Sequence, residues 1–186
     1  DYYRIFTNET SNMLKLIGVN INTVPVLDLK IKGASSVIGD RSYSKNPKIV
    51  SKIGDICINN FHTNNIGTVI KHIPGHGNAK VDSHILTPIV KKKYNDLVKK
   101  DFFTFRNKKS FLAMTAHIIY KDIDKLNTAT HSKEIIHLIR EKIRFNNILM
   151  SDDISMKSLK NSITENTLKA FSAGCNIVLH CNGSYK

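Results

Sequence analysis

Five short apolar segments, separated by helix-type patterns, constrain the fold more than any other feature of this sequence. The segments are rich in β-branched residues and nearly continuous in apolar residues. Strands of this kind are buried on both faces, which is typical of a parallel sheet covered by helices. The sequence therefore predicts an α/β protein with strands at residues 21–29, 66–73, 111–120, 147–154 and 176–182.

The segments between these strands carry signals for the starts and ends of helices. Asn46 followed by Pro47 predicts an N-cap with proline at the first helical position. Ser162 with Glu165 predicts a capping box, and Gly174 a helix end. A further helix is predicted near residues 94–106. Two sets of residues share a helix face by their spacing: Ile49, Ile53, Ile56 and Cys57, and Ile135, Ile139 and Ile143.

Polar residues stand at or just past the end of every predicted strand. They are Asp28, Lys71 with His72, His117, Asp152 with Asp153, and Asn182. The strand ends of a barrel converge on one active-site face, whereas an open sheet gathers its ligand at one switch point. The pattern therefore favours a (β/α)₈ TIM-type barrel. Five strands and 186 residues fall short of the eight strands and roughly 250 residues of that fold, so the chain is expected to be part of a barrel.

The formal charge of +13 raises the question of a nucleic-acid partner, because clustered lysine and arginine neutralise phosphates. The densest lysine clusters, at residues 91–93, 99–100 and 108–109, lie in one polar helical region. We interpret them as a solvated face. The sequence has no aromatic RNA-binding pattern, GXXG loop or zinc-finger spacing, so no nucleic-acid partner is predicted.

Cysteine usage and hydropathy indicate the compartment. The three cysteines follow no CxxC spacing, which argues against a disulfide framework and favours a reducing environment. No apolar run approaches the roughly 18 residues that a membrane span needs. The first residues, DYYRIFTNET, show no signal-peptide pattern. We expect a soluble cytoplasmic protein without a membrane partner.

The stretch KHIPGHGNAKVDSH, residues 71–84, places three histidines on a segment rich in Gly and Pro, at a strand end where barrels carry their chemistry. One hypothesis is a metal site that activates water. It would use His72, His76, His84, His117 and Asp152. Against it, the HxxxH pattern lies on a loop and not on a helix, so the two rings are not held on one face.

A glycosidase is the alternative hypothesis. A carboxylate at a strand end, Asp152, would attack the anomeric carbon of a sugar. His84, charged through its bond to Asp82, would protonate the leaving oxygen.

Seven motifs carry a resemblance to a known family. They are PVLDL (25–29), GDRSY (39–43), KHIPGHG (71–77), DSH (82–84), MTAHIIY (114–120), SDDISM (151–156) and AGCNIVLHCN (173–182). In this order and spacing the chain resembles the NagZ-type bacterial β-N-acetylhexosaminidases of glycoside hydrolase family 3. The resemblance implies a cytoplasmic, retaining exo-hydrolase that uses neither metal nor cofactor. Its implied substrates are muropeptides, 1,6-anhydro-N-acetylmuramoyl peptides of cell-wall recycling, from which it removes terminal N-acetylglucosamine.

The resemblance also implies roles for particular residues. The aspartate directly after the serine of SDD is the nucleophile, here Asp152. The histidine of DSH is the acid/base, here His84, and Asp82 orients it. Asp153 is expected to be structural. Three positions that hold the sugar hydroxyls in the family match Arg41, Lys71 and His72.

The family has three strands upstream of this region, and the third carries a DQEGGR motif that is absent here. Residues 1–186 are therefore expected to form a partial catalytic barrel domain, covering about the last five β/α units and acting as a monomer. An inactive sugar-binding fragment and a basic nucleic-acid binder remain as alternatives. Phosphate could also replace water as the glycosyl acceptor.

Overall fold

The computed structural model describes residues 2–183, so Asp1 and residues 184–186 of the predicted domain lie outside the described part. The strands are β1 (Ile21–Asn22), β2 (Gly67–Ile73), β3 (Ile89–Val90), β4 (Leu112–Thr115), β5 (Ile119–Tyr120), β6 (Ile148–Asp153) and β7 (Ile177–Leu179). The helices are α1 (Tyr2–Leu16), α2 (Pro47–Thr63), α3 (Tyr94–Lys99), α4 (Lys133–Leu138) and α5 (Ile163–Ala173). Five parallel strands form one sheet in the order β1-β2-β4-β6-β7, which confirms the predicted α/β class.

The first predicted strand, at residues 21–29, is less regular than expected. Only Ile21–Asn22 pairs as a strand with β2, and an isolated bridge then joins Val26 to Lys71. Pro25 interrupts the ladder because it has no N–H to donate. The chain nevertheless stays beside β2, since the Leu27 amide donates to the Lys71 carbonyl at 2.8 Å. Asp28 therefore still arrives at the carboxyl edge of the sheet.

The third predicted strand, at residues 111–120, is divided between two sheets. Leu112–Thr115 forms β4 of the main sheet, and Ile119–Tyr120 forms β5, which pairs with β3 in a separate two-stranded parallel sheet. The partner, Ile89–Val90, lies far away in the sequence and shows no alternating pattern of its own. This small sheet fixes the end of the loop that carries the DSH motif.

Two predicted helices are shorter than expected. The helix at residues 94–106 consists of α3 followed by a 3₁₀ turn at Phe102–Phe105, because the backbone leaves the helical region at Lys100. Phe102 and Phe105 of that turn are buried in the core. After α4 the chain continues as a π-helical segment, Ile139–Ile143, which ends where Arg144 takes a left-handed conformation.

The predicted helix ends are confirmed. The Asn46 side chain accepts from the Lys48 amide ahead of Pro47. Ser162 and Glu165 form the complete capping box, and Gly174 ends α5 with φ +117°. Of the helices in residues 2–183, none combines the length and the apolar character that crossing a lipid bilayer requires.

Of the four residues predicted to share the buried face of α2, Cys57 is buried, but the helix does not bury the face that carries Ile49 and Ile56. Ile49 and Ile56 are exposed, and the buried positions are Val50, Gly54, Cys57, Ile58 and Phe61. A Cβ at Gly54 would lie 2.5 Å from the Leu27 side chain. Glycine at this position therefore lets the helix pack directly against the strand that leads to Asp28.

The solvated-face interpretation of the lysine clusters needs one correction. Residues 91–93, 99–100 and 109 are exposed, but the Lys108 side chain is only 2% exposed. Its ammonium group donates to both carboxylate oxygens of Asp55 at 2.9 Å and to the Ser51 hydroxyl at 2.7 Å. A buried ammonium group needs such partners, so Lys108 is an internal tie to α2 and not part of the solvated face.

Asp101 gives a pH-dependent prediction for stability. It is 2% exposed, and burial, assisted by the charge of Asp28, raises its pKa to about 7. The unfolded carboxyl loses its proton near 3.8, so the folded state holds the extra proton between these values and stability falls as pH rises. The Asn78 side chain donates to Asp101 at 2.7 Å, and in Asp101→Asn the new amide oxygen can accept the same hydrogen bond. Urea unfolding measures the free energy of unfolding of both proteins. The difference in favour of the variant is expected to grow by about 2–3 kcal/mol as pH rises from 5 to 8. A gain independent of pH would contradict this account.

Candidate active site

Asp28, His72 and Asp152 meet at the carboxyl edge of the sheet. Asp28 is 1% exposed, and its carboxylate accepts from the His72 ring Nδ1 at 2.7 Å and from the His72 amide at 3.1 Å. The other ring nitrogen, Nε2, lies 4.0 Å from Oδ2 of Asp152 at the end of β6. Three segments far apart in sequence therefore place two carboxylates on either side of one imidazole.

Asp28 is the fixed anion of this arrangement. Burial alone would raise its pKa, but the charge and hydrogen bond of His72, with the amide of His76, outweigh burial and lower the pKa. The His76 amide donates to Oδ1 at 2.6 Å. Gly77 makes this approach possible, because a Cβ there would lie 2.6 Å from the Leu29 carbonyl oxygen. The ionised carboxylate thus holds both the His72 ring and the loop that follows it.

Asp152 and Asp153 have different surroundings although they are adjacent. Asp153 accepts from the Ser155 hydroxyl at 2.7 Å, the Cys181 amide at 3.2 Å and the Asn182 side chain at 3.3 Å. Burial raises the pKa of Asp153, but the bonds from Ser155 and Cys181 outweigh burial and leave the pKa below its ordinary value. The Asp152 side chain is 18% exposed and faces His72. Of the two carboxylates, Asp152 is the one available to a ligand.

Lys71 lies near Asp152, and Arg41 lies near Lys71. Lys71 is half-buried, and its Nζ lies 3.3 Å from the Thr23 hydroxyl. Burial and the positive charge of Arg41 lower its pKa, while Asp152 and Asp28 act in the opposite direction. The Arg41 guanidinium donates to the Val37 carbonyl at 2.5 Å. Lys71 therefore brings an N–H donor to the edge that carries Asp152, whereas the hydrogen bond described for the Arg41 side chain is to Val37.

His84 and Asp82 form the local pair expected from the DSH motif. The His84 ring Nδ1 donates to Asp82 Oδ1 at 2.8 Å, and so does the His84 amide at 2.8 Å. The hydrogen bond from the His84 backbone N–H lowers the pKa of Asp82 more than the hydrogen bond from the His84 ring does. The His84 side chain is 62% exposed, and the polar contacts described for it join it to Asp82 and not to Asp152. The pair thus lies on the loop that follows β2, with the His84 side chain largely exposed.

His117 is a structural residue. Its Nδ1 pairs with the Thr130 hydroxyl at 2.7 Å, and its Nε2 donates to the Asp153 carbonyl at 3.0 Å. The ring is fully buried, and burial lowers its pKa. Both nitrogens are occupied, so His117 supports the end of β6 and does not face a ligand.

The residues of the metal-site hypothesis have separate partners. His72 is bound to Asp28, His76 to Ser83 and His84 to Asp82, while His117 uses both ring nitrogens. Within the described residues, no three His, Cys, Asp or Glu side chains gather into a group that could hold a metal ion. The donor arrangement gives the metal hypothesis no support.

Sequence reasoning placed Asp28 at a strand end but assigned it no role, and it missed Ser83 and Thr130. The signal for Asp28 was available, because a buried acid at a strand end next to a histidine-rich strand needs a partner. Ser83 and Thr130 carry no comparable signal. Their contacts depend on loop conformations that the local sequence does not determine.

Comparison with known proteins places this geometry in context. Residues 3–186 match the glycosyl hydrolase family 3 N-terminal domain. A β-hexosaminidase of Nitrosomonas eutropha is 37% identical over 174 residues, which cover 91% of this chain and 50% of that protein. The chain therefore spans about half the length of the curated relatives it matches.

Solved structures of glycoside hydrolase family 3 proteins share the fold of this chain. NagZ from Neisseria gonorrhoeae in complex with N-trifluoroacetyl-D-glucosamine is 31% identical, with a TM-score of 0.83 over 92% of this chain and 51% of that chain. A glycoside hydrolase family 3 β-N-acetylglucosaminidase from Paenibacillus is 26% identical, with a TM-score of 0.90 over 96% of this chain and 35% of that chain. The predicted fold, part of a TIM-type barrel, is confirmed.

Proposed function

This chain belongs to glycosyl hydrolase family 3, and from that premise we propose that it forms part of the catalytic barrel of a retaining β-N-acetylglucosaminidase. The observation that supports the proposal most is the Asp28–His72–Asp152 arrangement. Asp28 there is buried and hydrogen-bonded, whereas Asp152 is partly exposed at the end of β6, near His72 and Lys71. Such an edge suits a polyol ring, and its exposed carboxylate suits attack at an anomeric carbon.

In the proposed reaction, Asp152 supplies the nucleophilic oxygen. It bonds to the anomeric carbon while the bond to the leaving oxygen breaks, and His84 gives its Nε2 proton to that oxygen. In the second step His84 takes a proton from water, the water oxygen bonds to the anomeric carbon, and Asp152 leaves as a carboxylate. The bond from His84 Nδ1 to Asp82 fixes the ring tautomer that each step needs.

Arg41, Lys71 and His72 are the proposed sugar ligands. Lys71 and His72 lie near Asp152, Arg41 lies near Lys71, and the N–H groups of all three can donate to ring hydroxyls. Donors of this kind hold the sugar in a fixed position relative to Asp152. We propose that the substrates are N-acetylglucosamine-containing muropeptides of cell-wall recycling, acted on in the cytoplasm by a monomer. The relatives named β-hexosaminidase support the choice of an N-acetylhexosamine as the sugar that is removed.

The test of this function is turnover of p-nitrophenyl N-acetyl-β-glucosaminide. It is measured for the 186-residue chain and for the whole product of its gene. Proton NMR of the first sugar released is expected to show the β anomer, since two inversions at the anomeric carbon give net retention. Release of the α anomer, or equal turnover of the β-glucoside, would contradict the proposal.

Replacing His84 with alanine is expected to lower kcat on this substrate by roughly 10²–10⁴-fold, because general acid–base catalysis is worth that much. Added azide is expected to restore turnover, since it attacks the glycosyl-enzyme without needing a base. His137→Ala, a change at an exposed histidine on α4, is the matched control. An unchanged kcat in His84→Ala would remove His84 from the mechanism.

An inactive sugar-binding fragment is the second candidate. Among the described residues, β1 and β7 each have a strand partner on one side only. If the rest of the barrel supplies the missing sugar contacts, the 186-residue chain is expected to be silent while the whole gene product turns over substrate. Silence from both would favour the fragment.

A further inference from the structure

We propose that His76 and Ser83 are positioning residues that tie the acid/base loop, residues 80–88, to the Asp28 anchor beneath the nucleophile. This inference rests on the proposed function, because it assigns a role to residues around the same site. It concerns two side chains that take no part in the reaction as described above. Their contacts join the two halves of the catalytic machinery.

His76 is the inner member of the pair. It is 3% exposed, and its amide donates to Asp28 Oδ1 at 2.6 Å. Its ring stands edge-on to the His72 ring, with 5.5 Å between the ring centroids. Asp28 therefore holds His72 with one carboxylate oxygen and the backbone of His76 with the other. A displacement of His76 would therefore disturb the Asp28 carboxylate, which also orients the His72 ring.

Ser83 is the outer member. It lies between the two members of the dyad, Asp82 and His84, yet it is 3% exposed while the His84 side chain is 62% exposed. The loop thus turns inward at one residue and outward at its neighbours. The inward hydroxyl meets the His76 ring Nε2 at 3.0 Å. Because Ser83 lies between Asp82 and His84 in the chain, this hydrogen bond fixes the position of both residues relative to the strand ends.

The bond is suited to a fixed support. Burial lowers the pKa of His76 to about 4, so the ring is neutral at neutral pH. The described residues give Nδ1 of this ring no hydrogen-bond partner, so Nε2 carries its one polar side-chain contact. A second tether holds the far side of the loop, where the Thr87 hydroxyl donates to the Ser158 carbonyl at 2.5 Å. Ser158 follows β6, the strand that carries Asp152.

Substrates with different leaving groups can distinguish a variant that misplaces the general acid from a variant that has a damaged fold. An aglycone that is a good leaving group departs without protonation, whereas a poor one needs the acid. kcat/KM reports the first chemical step for both. A variant that only misplaces His84 should therefore lose activity on phenyl N-acetyl-β-glucosaminide and keep it on the 2,4-dinitrophenyl compound. A variant with a damaged fold should lose both equally.

The test compares Ser83→Ala, Ser83→Thr and the exposed control Ser172→Ala in the whole gene product. Ser83→Ala is expected to lower kcat/KM for the phenyl substrate about 10–100-fold and for the dinitrophenyl substrate less than about 3-fold. Ser83→Thr, which keeps the hydroxyl, should recover most of the loss. His76→Phe should behave like Ser83→Ala, and the double variant should be little worse than either single variant. Equal losses on both substrates, or additive losses in the double variant, would overturn the proposal.

Hydrogen exchange separates failure of this inference from failure of the proposed function. If wild type hydrolyses neither glycoside, the proposed function fails and the catalytic role of the pair fails with it. If wild type is active but Ser83→Ala matches it on both substrates, only the positioning pair fails. In either case, the backbone amides of residues 80–87 should exchange hydrogen at least about tenfold faster in Ser83→Ala, while those of β2 and β6 stay unchanged. Unchanged exchange in the loop would refute the tether itself.

Discussion

Replacing Asp152 with asparagine is expected to abolish glycoside turnover, with a loss in kcat on the order of 10⁴ to 10⁶-fold. The amide has nearly the shape of the carboxylate, but it cannot form the glycosyl ester through which the proposed reaction passes. The fold should be retained, because the Asp153 amide donates to Asp152 Oδ1 at 2.8 Å and an amide oxygen can accept the same bond. The measurement is release of p-nitrophenol together with thermal unfolding of the same samples.

The control for this variant is Asp122→Asn. Asp122 is an exposed acid whose hydrogen-bond partners among the described residues are Lys93 and the Tyr94 amide, and neither belongs to the proposed site. It is expected to keep wild-type turnover. A loss smaller than about tenfold in Asp152→Asn, with the fold intact, would mean that another group attacks the sugar.

Replacing Asp28 with alanine is expected to lower the free energy of unfolding by about 3–5 kcal/mol, the cost of breaking a buried charged pair. The change would leave the amides of His72 and His76 without their acceptor in the interior, and it would release the His72 ring. Urea unfolding measures the loss. Asp122→Asn again serves as the control, since a solvent-exposed ion pair contributes little to stability.

The Asp28 contribution also has a pH signature. Its pKa is lowered in the folded state, so its stabilisation is present above the unfolded value of 3.8 and is lost as pH falls through the folded value. Wild type is therefore expected to lose stability below about pH 4 more steeply than Asp28→Ala. A stability difference that stays constant from pH 7 down to pH 2 would contradict the ionised anchor.

The strand ends were predictable because the physical signals are local. Buried parallel strands are continuous in apolar residues, and the polar residues that end them stand out against that background. The helix caps were predictable for the same reason, since Asn46, Ser162 and Gly174 each act within one turn of their own position. The Asp82–His84 pair also needs only a local bond.

Features set by packing between distant segments could not be predicted in this way. The isoleucines of α2 suggested one face, but the close approach of Gly54 to Leu27 determines which face is buried. The pairing of β3 with β5 joins segments that carry no mutual signal. Lys108 appears in a lysine cluster and is buried only because Asp55 and Ser51 of α2 reach it. The contact between His76 and Ser83 depends on the path of the loop.

The central claim is that Asp152 forms a covalent bond to the sugar, and trapping that bond tests it most directly. A 5-fluoro N-acetylglucosaminyl fluoride carries a good leaving group, while its ring fluorine destabilises positive charge at the anomeric carbon and slows hydrolysis of the intermediate. Digestion and mass spectrometry of the treated protein are expected to find one fluorosugar on the peptide around residues 148–157, with Asp152 as the modified residue and no label in Asp152→Asn. Label on another carboxylate, or turnover of the reagent by an active wild-type protein without any label, would contradict the account.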